Sequence, residues 1–518
     1  MNTSKFIKVL PVLWILAQSL FAQDSLPDCI RIELGRLQET WNVLDQVSTK
    51  VWPGWTNYTD PPFLFAFPNG VQLLVGHPQP PEGFSLVTGV EIRGKKVYLD
   101  RRKEVPLPMS LPLFGGGGPV PFGMSQGKNV TVVRIGLSSP RWKAGEIDEK
   151  ARARHFSLGS ENQILLYAHE LFHCFQASVY RSKYGNLRFN TDENYAAYAE
   201  VEGLALERSY AEQDDELAKE YLKDFLGARE LKRRSMNETE RLQESEEDVN
   251  EGTATYAEFM TLRQLEKGYQ PLLAEKDDPY FYGFDSIDSL IDRRLTMLRS
   301  SRTESLESRG KSYPFGCFQA VLLSRLFRGW REGFFQKGLG LDRVMDSLLT
   351  LSPQERTRIN GRLNGRYGVD TIYAKHARIV GERNQAFDMV SKRKGLTFVV
   401  NFKNTGEFPV VESTQTSYRI GLINIYPRGI KKIRIADVVF EGEDTPMVTD
   451  QIYFVKWIDT QANGSRGSYQ IEGTREGTTN IYQNAVVKTS GFRLVAPRLE
   501  IKERKNRVKL TVLGKVKM

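Results

Sequence analysis

The strongest chemical signal in this 518-residue chain is the run Ile164-Leu165-Leu166-Tyr167-Ala168-His169-Glu170-Leu171-Phe172-His173-Cys174-Phe175-Gln176. Residues four apart stand on one face of a helix, so His169 and His173 lie one turn apart on the same side. Two imidazoles so placed can both reach one tetrahedral Zn2+ at about 2.0–2.1 Å. Glu170, one step further round, points beside the ion. There it can take a proton from water and return it to a leaving amine. The chain has only five histidines, His77, His155, His169, His173 and His376. Chance occurrence of His-Glu-x-x-His in such a composition is on the order of a few per thousand. The spacer residues are apolar, which requires a buried helix. Two histidines and a glutamate are costly to bury without a shared partner.

A hydrolytic zinc site needs a third protein ligand and one open position. Two segments offer a glutamate followed by a small residue. Glu202, in Glu200-Val201-Glu202-Gly203-Leu204-Ala205, comes 29 residues after His173. Glu251, in Val249-Asn250-Glu251-Gly252-Thr253-Ala254-Thr255-Tyr256, comes 78 residues after it. Both read as helical, and a small neighbour lets two helices approach closely around a metal. Whichever glutamate is not the ligand is expected to support the site or to pair with Arg229 or Arg233.

His169–His173 followed by Glu251-Gly252-Thr253-Ala254 and Tyr256 resembles the gluzincin metallopeptidases, the thermolysin-like clan. The chain is similar to secreted gluzincin-like proteins in which a charged helical insertion, here about 195–247, separates the two motifs. The likeness spans roughly 61–349. It implies a zincin-like core, peptide or protein substrates and Glu251 as third ligand, with Glu202, nearer the usual spacing, as the alternative. It also implies an oxyanion donor from a later helix or loop. Tyr313, in Ser312-Tyr313-Pro314-Phe315-Gly316, is the candidate for that role and Tyr256 the second, ahead of His155 and His376.

The elements that must position these residues fall into three regions. From about 23 to 157 the pattern is mixed and β-rich. Short extended runs at Val71–Val75, Lys96–Leu99 and Val130–Leu137 are separated by Pro- and Gly-rich turns. The run Gly115–Gly118 reads as a loop and lacks the Lys-Ser/Thr of a phosphate-binding loop. From 158 to 392 the chain reads as helical, with periodic segments at Glu161–Tyr184, Glu193–Tyr210, Glu216–Arg234, Glu238–Lys267, Phe315–Phe335 and Leu341–Leu349. The mixed charges of Glu207–Glu247 predict a solvent-facing helix pair. From 396 to 518 alternating apolar runs predict an all-β accessory domain, sandwich- or barrel-like, with no His or Cys. The class is therefore α+β.

Residues 1–22 carry Lys5 and Lys8, an apolar stretch and Ala22, the pattern of a secretory signal peptide. No later run is long and apolar enough to span a membrane. The chain is expected to be secreted, extracellular or periplasmic. Three cysteines, Cys29, Cys174 and Cys317, exclude a full disulfide framework, and the latter two read as buried apolar residues. The net charge of +9 is spread along the chain without a compact basic run, which argues against nucleic acid as partner. The reading is a secreted zinc metallopeptidase. The alternative is a non-catalytic secreted binding protein that keeps the zinc scaffold.

Overall fold

The computed structural model describes residues 26–67, 71–100, 114–138, 159–180, 192–265, 269–273, 277–284, 292, 294–299, 308–401, the strands between 410 and 459, and residues 469–489 and 491–513. The expected signal segment 1–22 and His155 lie outside them. The described chain is α+β, with a mixed sheet near each end and helices between.

The first element departs from the β-rich expectation. Helix α1 (Asp28–Val51) buries Ile30, Leu34, Leu37, Trp41, Leu44 and Val51, a stripe at three-, four- and seven-residue steps. Its signal was masked by charges. Glu33, Arg36 and Glu39 interrupt the apolar pattern and are themselves buried.

Six strands follow: β1 (Phe63–Ala66), β2 (Gln72–Val75), β3 (Phe84–Ile92), β4 (Lys95–Asp100), β5 (Phe114–Ser125) and β6 (Lys128–Ser138). They form a sheet in the order β3-β4-β2-β1-β6-β5, in which only β1 and β6 run parallel. The three extended runs expected here fall on β2, β4 and β6. The Gly115–Gly118 run is strand, not loop, and lies within β5. Glycines carry no strand signal of their own. The pairing is imposed by β6, which buries Val132, Val133 and Ile135. Pro119 and Pro121 suit an edge strand. At Gly117 a Cβ would fall 1.7 Å from the Arg134 carbonyl oxygen, so this approach admits only glycine.

The middle of the chain holds α2 (Ser160–Val179), α3 (Glu193–Ala211), α4 (Asp215–Lys232), α5 (Glu238–Gln264), α6 (Ser308–Leu326), α7 (Phe334–Lys337), α8 (Leu341–Leu349), α9 (Pro353–Tyr367) and α10 (Val369–Ser391). Helix α6 starts earlier than its sequence suggests and carries Pro314 inside it. The carbonyl that Pro314 cannot serve belongs to Gly310, an exposed residue in the first turn that water can reach. The expected helix pair faces solvent along one side only, where Asp215, Glu216, Arg234 and Arg241 are exposed. Asp224, Arg229, Lys232, Glu244, Glu247 and Asp248 are buried. Their mixed signs pair inside the fold: Arg229 and Lys232 with Glu202, Glu244 and Asp248 across α3, α4 and α5, and Asp224 with Arg362 and Arg366 of α9.

Every described element from 396 on is a strand, as expected. Leu396–Asn401 runs parallel to Arg507–Val512 and antiparallel to Phe454–Asp459, over a core that stacks Phe398 on Phe492 with ring centroids 4.2 Å apart. Among the described residues no helix is long and apolar enough to cross a membrane.

Helix α2 is fixed from two sides. Trp52 and Trp55 meet the ring of Phe172 edge-on, at 5.4 and 5.0 Å. Deeper, Arg36 of α1 donates to Glu33 at 2.7 Å, Asp278 at 2.8 Å and Ser160 at 2.9 Å, while the Tyr167 hydroxyl donates to Glu33. One guanidinium thus faces two carboxylates in a fully buried cluster. Burial pushes the Glu33 carboxyl up to about 7, against the pull of Arg36 and with Asp278 adding to the rise. The folded chain therefore holds a proton here that the unfolded chain, with an ordinary value of 4.5, has already lost. Stability from this group is complete below the unfolded value and fades as pH rises through about 7. Glu33→Gln should flatten that decline, by on the order of 1–3 kcal/mol between pH 5 and 8. Urea unfolding at both pH values measures it, and an equal slope in variant and wild type would refute the assignment.

Candidate metal centre

Helix α2 projects His169 and His173 to the same side, and their rings meet edge-on at 4.6 Å. Helix α5 crosses beside it and brings in Glu251. The Nε2 atoms of the two imidazoles are 2.9 Å apart, and Glu251 Oε2 lies 3.6 Å from His169 and 3.4 Å from His173. Among the described residues this is the one group of three or more His, Cys, Asp or Glu side chains close enough to share a metal ion.

The orientation of each ring is set by its other nitrogen. His169 Nδ1 faces Glu258 Oε1 at 2.5 Å, and His173 Nδ1 faces Gln176 Oε1 at 2.6 Å. An Nδ1–H donated to each of these oxygens leaves the Nε2 lone pairs aimed at the shared centre. Both supports are themselves tied down. Glu258 pairs through its other oxygen with Arg294. Gln176 donates to the Asn250 carbonyl at 2.9 Å and to Thr253 Oγ1 at 2.7 Å, which locks α2 to α5.

Three electron-rich atoms converging in a buried site repel one another unless a cation lies between them. Tetrahedral arms of about 2.0–2.1 Å place ligand atoms about 3.3–3.4 Å apart. The observed separations of 2.9, 3.4 and 3.6 Å bracket that value. The donor set and its spacing therefore fit a small divalent metal ion. Burial would raise the Glu251 carboxyl; imidazoles protonated in place of a bound cation more than reverse this and hold it far below the usual carboxylate range.

Glu202 is elsewhere. It is fully buried on α3, where Oε1 accepts from Arg229 at 3.2 Å and Oε2 from Lys232 at 2.6 Å. The expected pairing with Arg229 is present, and Lys232 stands where Arg233 was the other option.

Around the cluster lies a cavity of about 740 Å3. Glu170, 5% exposed, lines it without belonging to the three-residue group. Its Oε2 is 3.7 Å from the Cβ position of Gly118, so it faces β5 across the cleft. Tyr313 lines the same cavity, with its ring stacked over that of His169 at 6.1 Å. It gets there because α6 crosses α5 in backbone contact. A Cβ on Gly252 would sit 2.4 Å from Gly316 Cα, and one on Gly316 would sit 2.3 Å from the Asp248 carbonyl oxygen. The small residue after Glu251 thus admits the helix that carries Tyr313, one turn before Gly316.

Tyr256 and His376 do not line the cavity. The Tyr256 hydroxyl shares a hydrogen bond with Ser324 at 2.8 Å, inside an aromatic cluster with Trp52 and Trp330. His376 pairs with Glu200 at 2.6 Å between α10 and α3. Burial pushes the thiols of Cys174 and Cys317 up to about 12, in keeping with their reading as small apolar residues. Sequence reasoning missed Gln176, Glu258 and Arg294. The first two were legible by spacing: Gln176 lies three residues after His173 and Glu258 two turns after Glu251. Arg294 had no such signal.

Compared with known proteins, the chain matches no family model. No curated protein matches it. No solved structure matches it.

Proposed function

We propose that the chain is a secreted zinc metallopeptidase of the gluzincin type, hydrolysing peptide bonds in the cleft between β5 and α2. The observation that carries this reading is the convergence of His169, His173 and Glu251 at tetrahedral spacing, with Glu170 beside them in the same cavity. Those three residues would hold the zinc ion, which supplies Lewis acidity toward a carbonyl and toward water.

The chain's own residues provide the rest. Glu170 accepts a proton from the attacking water and later delivers it to the leaving amine. The Tyr313 phenol donates a hydrogen bond to the oxyanion as the scissile carbonyl becomes tetrahedral. Glu258, held by Arg294, fixes His169, and Gln176 fixes His173. On the opposite wall, Gly117, Gly118 and Pro119 belong to the strand at the end of the sheet order, which suits an extended peptide lying along its edge.

The test is cleavage of a mixed peptide library by the full chain, read by mass spectrometry, with metal content measured on the same preparation. One zinc per chain, cleavage abolished by a chelator and cleavage restored by zinc are the expected results. Stoichiometric zinc with no cleaved peptide would favour the non-catalytic scaffold, and no bound metal would end the reading.

A further inference from the structure

A second cavity, of about 600 Å3, shares no lining residue with the one around His169. It lies among α4, the first half of α5, the turn before α8, and α8 itself. Six arginines and four carboxylates line it. The carboxylates are already engaged. Asp342 accepts from Arg233 at 2.6 Å, Glu230 faces Arg234 at 3.6 Å, Asp346 pairs with Arg356, and Glu246 bonds to the Tyr180 hydroxyl. Arg229 is held by Glu202 and Asp248. Arg241 and Arg343 are left, both exposed, and neither guanidinium has an ion pair or hydrogen bond among the described residues. Beside them Leu242 and Leu339, 41% and 43% exposed, add apolar surface to the lining.

We propose that this cavity binds a monocarboxylate bearing an apolar group, in the form of a short peptide with a free C-terminus and an apolar last residue. The planar guanidinium matches a carboxylate in shape and charge. The leucines take the side chain. Inorganic phosphate fits less well, because it has no apolar part to cover Leu242 and Leu339. The volume is that of a small-ligand site. The site also touches the metal-bearing helix, since Val249 lines the cavity and its carbonyl accepts from Gln176 at 3.3 Å.

Calorimetric titration of the full chain with N-acetyl-Leu-Leu as free acid, with its C-terminal amide and with inorganic phosphate tests this. The free acid should bind, and the amide should bind at least about tenfold more weakly. The double variant Arg241→Ala/Arg343→Ala should also lose at least about tenfold in affinity for the free acid while keeping its metal content. The two arginines are exposed, so the variant should fold, and circular dichroism checks it. Equal binding of acid and amide, undiminished binding by the double variant, phosphate binding as tightly as the peptide, or no binding at millimolar peptide would each overturn the proposal. Metal content and library cleavage stand apart from all of these results, so failure here would leave the metallopeptidase reading untouched.

Discussion

Glu170→Gln should keep one metal ion per chain and lose peptide hydrolysis by about 10²–10⁴-fold, the range for removing a positioned proton-transfer group. The substitution preserves volume and the ability to hydrogen-bond, but an amide oxygen cannot take and return a proton at neutral pH. Glu170 stands outside the three-residue group, so the proposed ligands are unchanged. Its carboxylate is nearly enclosed between α2 and the Gly118 wall of β5, where bulk water is a poor substitute for it. Metal analysis and initial rates on one cleaved peptide measure the two halves of the prediction. A variant that cleaves at the wild-type rate would remove Glu170 from the mechanism.

The second large effect separates the two glutamates. Glu251→Ala should weaken metal binding by more than about 100-fold, since changes to residues that merely support a ligand already cost about 10–100-fold. Glu202→Ala should keep the metal and lose stability instead. It strips a carboxylate from Arg229 and Lys232, both almost fully buried. Breaking such a pair from one side costs about 3–5 kcal/mol. Arg229 retains Asp248 and Lys232 retains Glu244, which favours the lower end. Metal content and urea unfolding of both variants decide the matter. Equal metal retention by the two would defeat the ligand assignment.

The chemistry of the site was more legible than the scaffold that holds it. His169, Glu170 and His173 were readable because their spacing is a helical turn, a local property that sequence displays directly. The choice between Glu251 and Glu202 was not, because both begin the same kind of helical segment. What distinguishes them is which helix crosses α2 and which faces Arg229 and Lys232, a tertiary matter. Helix α1 carried a regular apolar stripe, yet its buried Glu33, Arg36 and Glu39 resembled surface charges. The same confusion hid the buried side of 207–247. A charge pattern records sign and spacing but not whether the partner lies in water or in the core. The glycines of β5 gave no strand signal, since the pairing that makes them a strand is written in β6.

The crossing at Gly252 and Gly316 bears on how the cleft can adapt. Main chain rests on main chain there, with no side chain between to change rotamer and take up slack. The wall that carries Tyr313 is therefore stiff across the crossing, and its remaining freedom is the phenol's own rotation and sliding of α6 along its axis. Under the proposed function, differences in substrate size would be met by side chains lining the cavity, such as Leu166 and Met297, and not by a shift of this crossing.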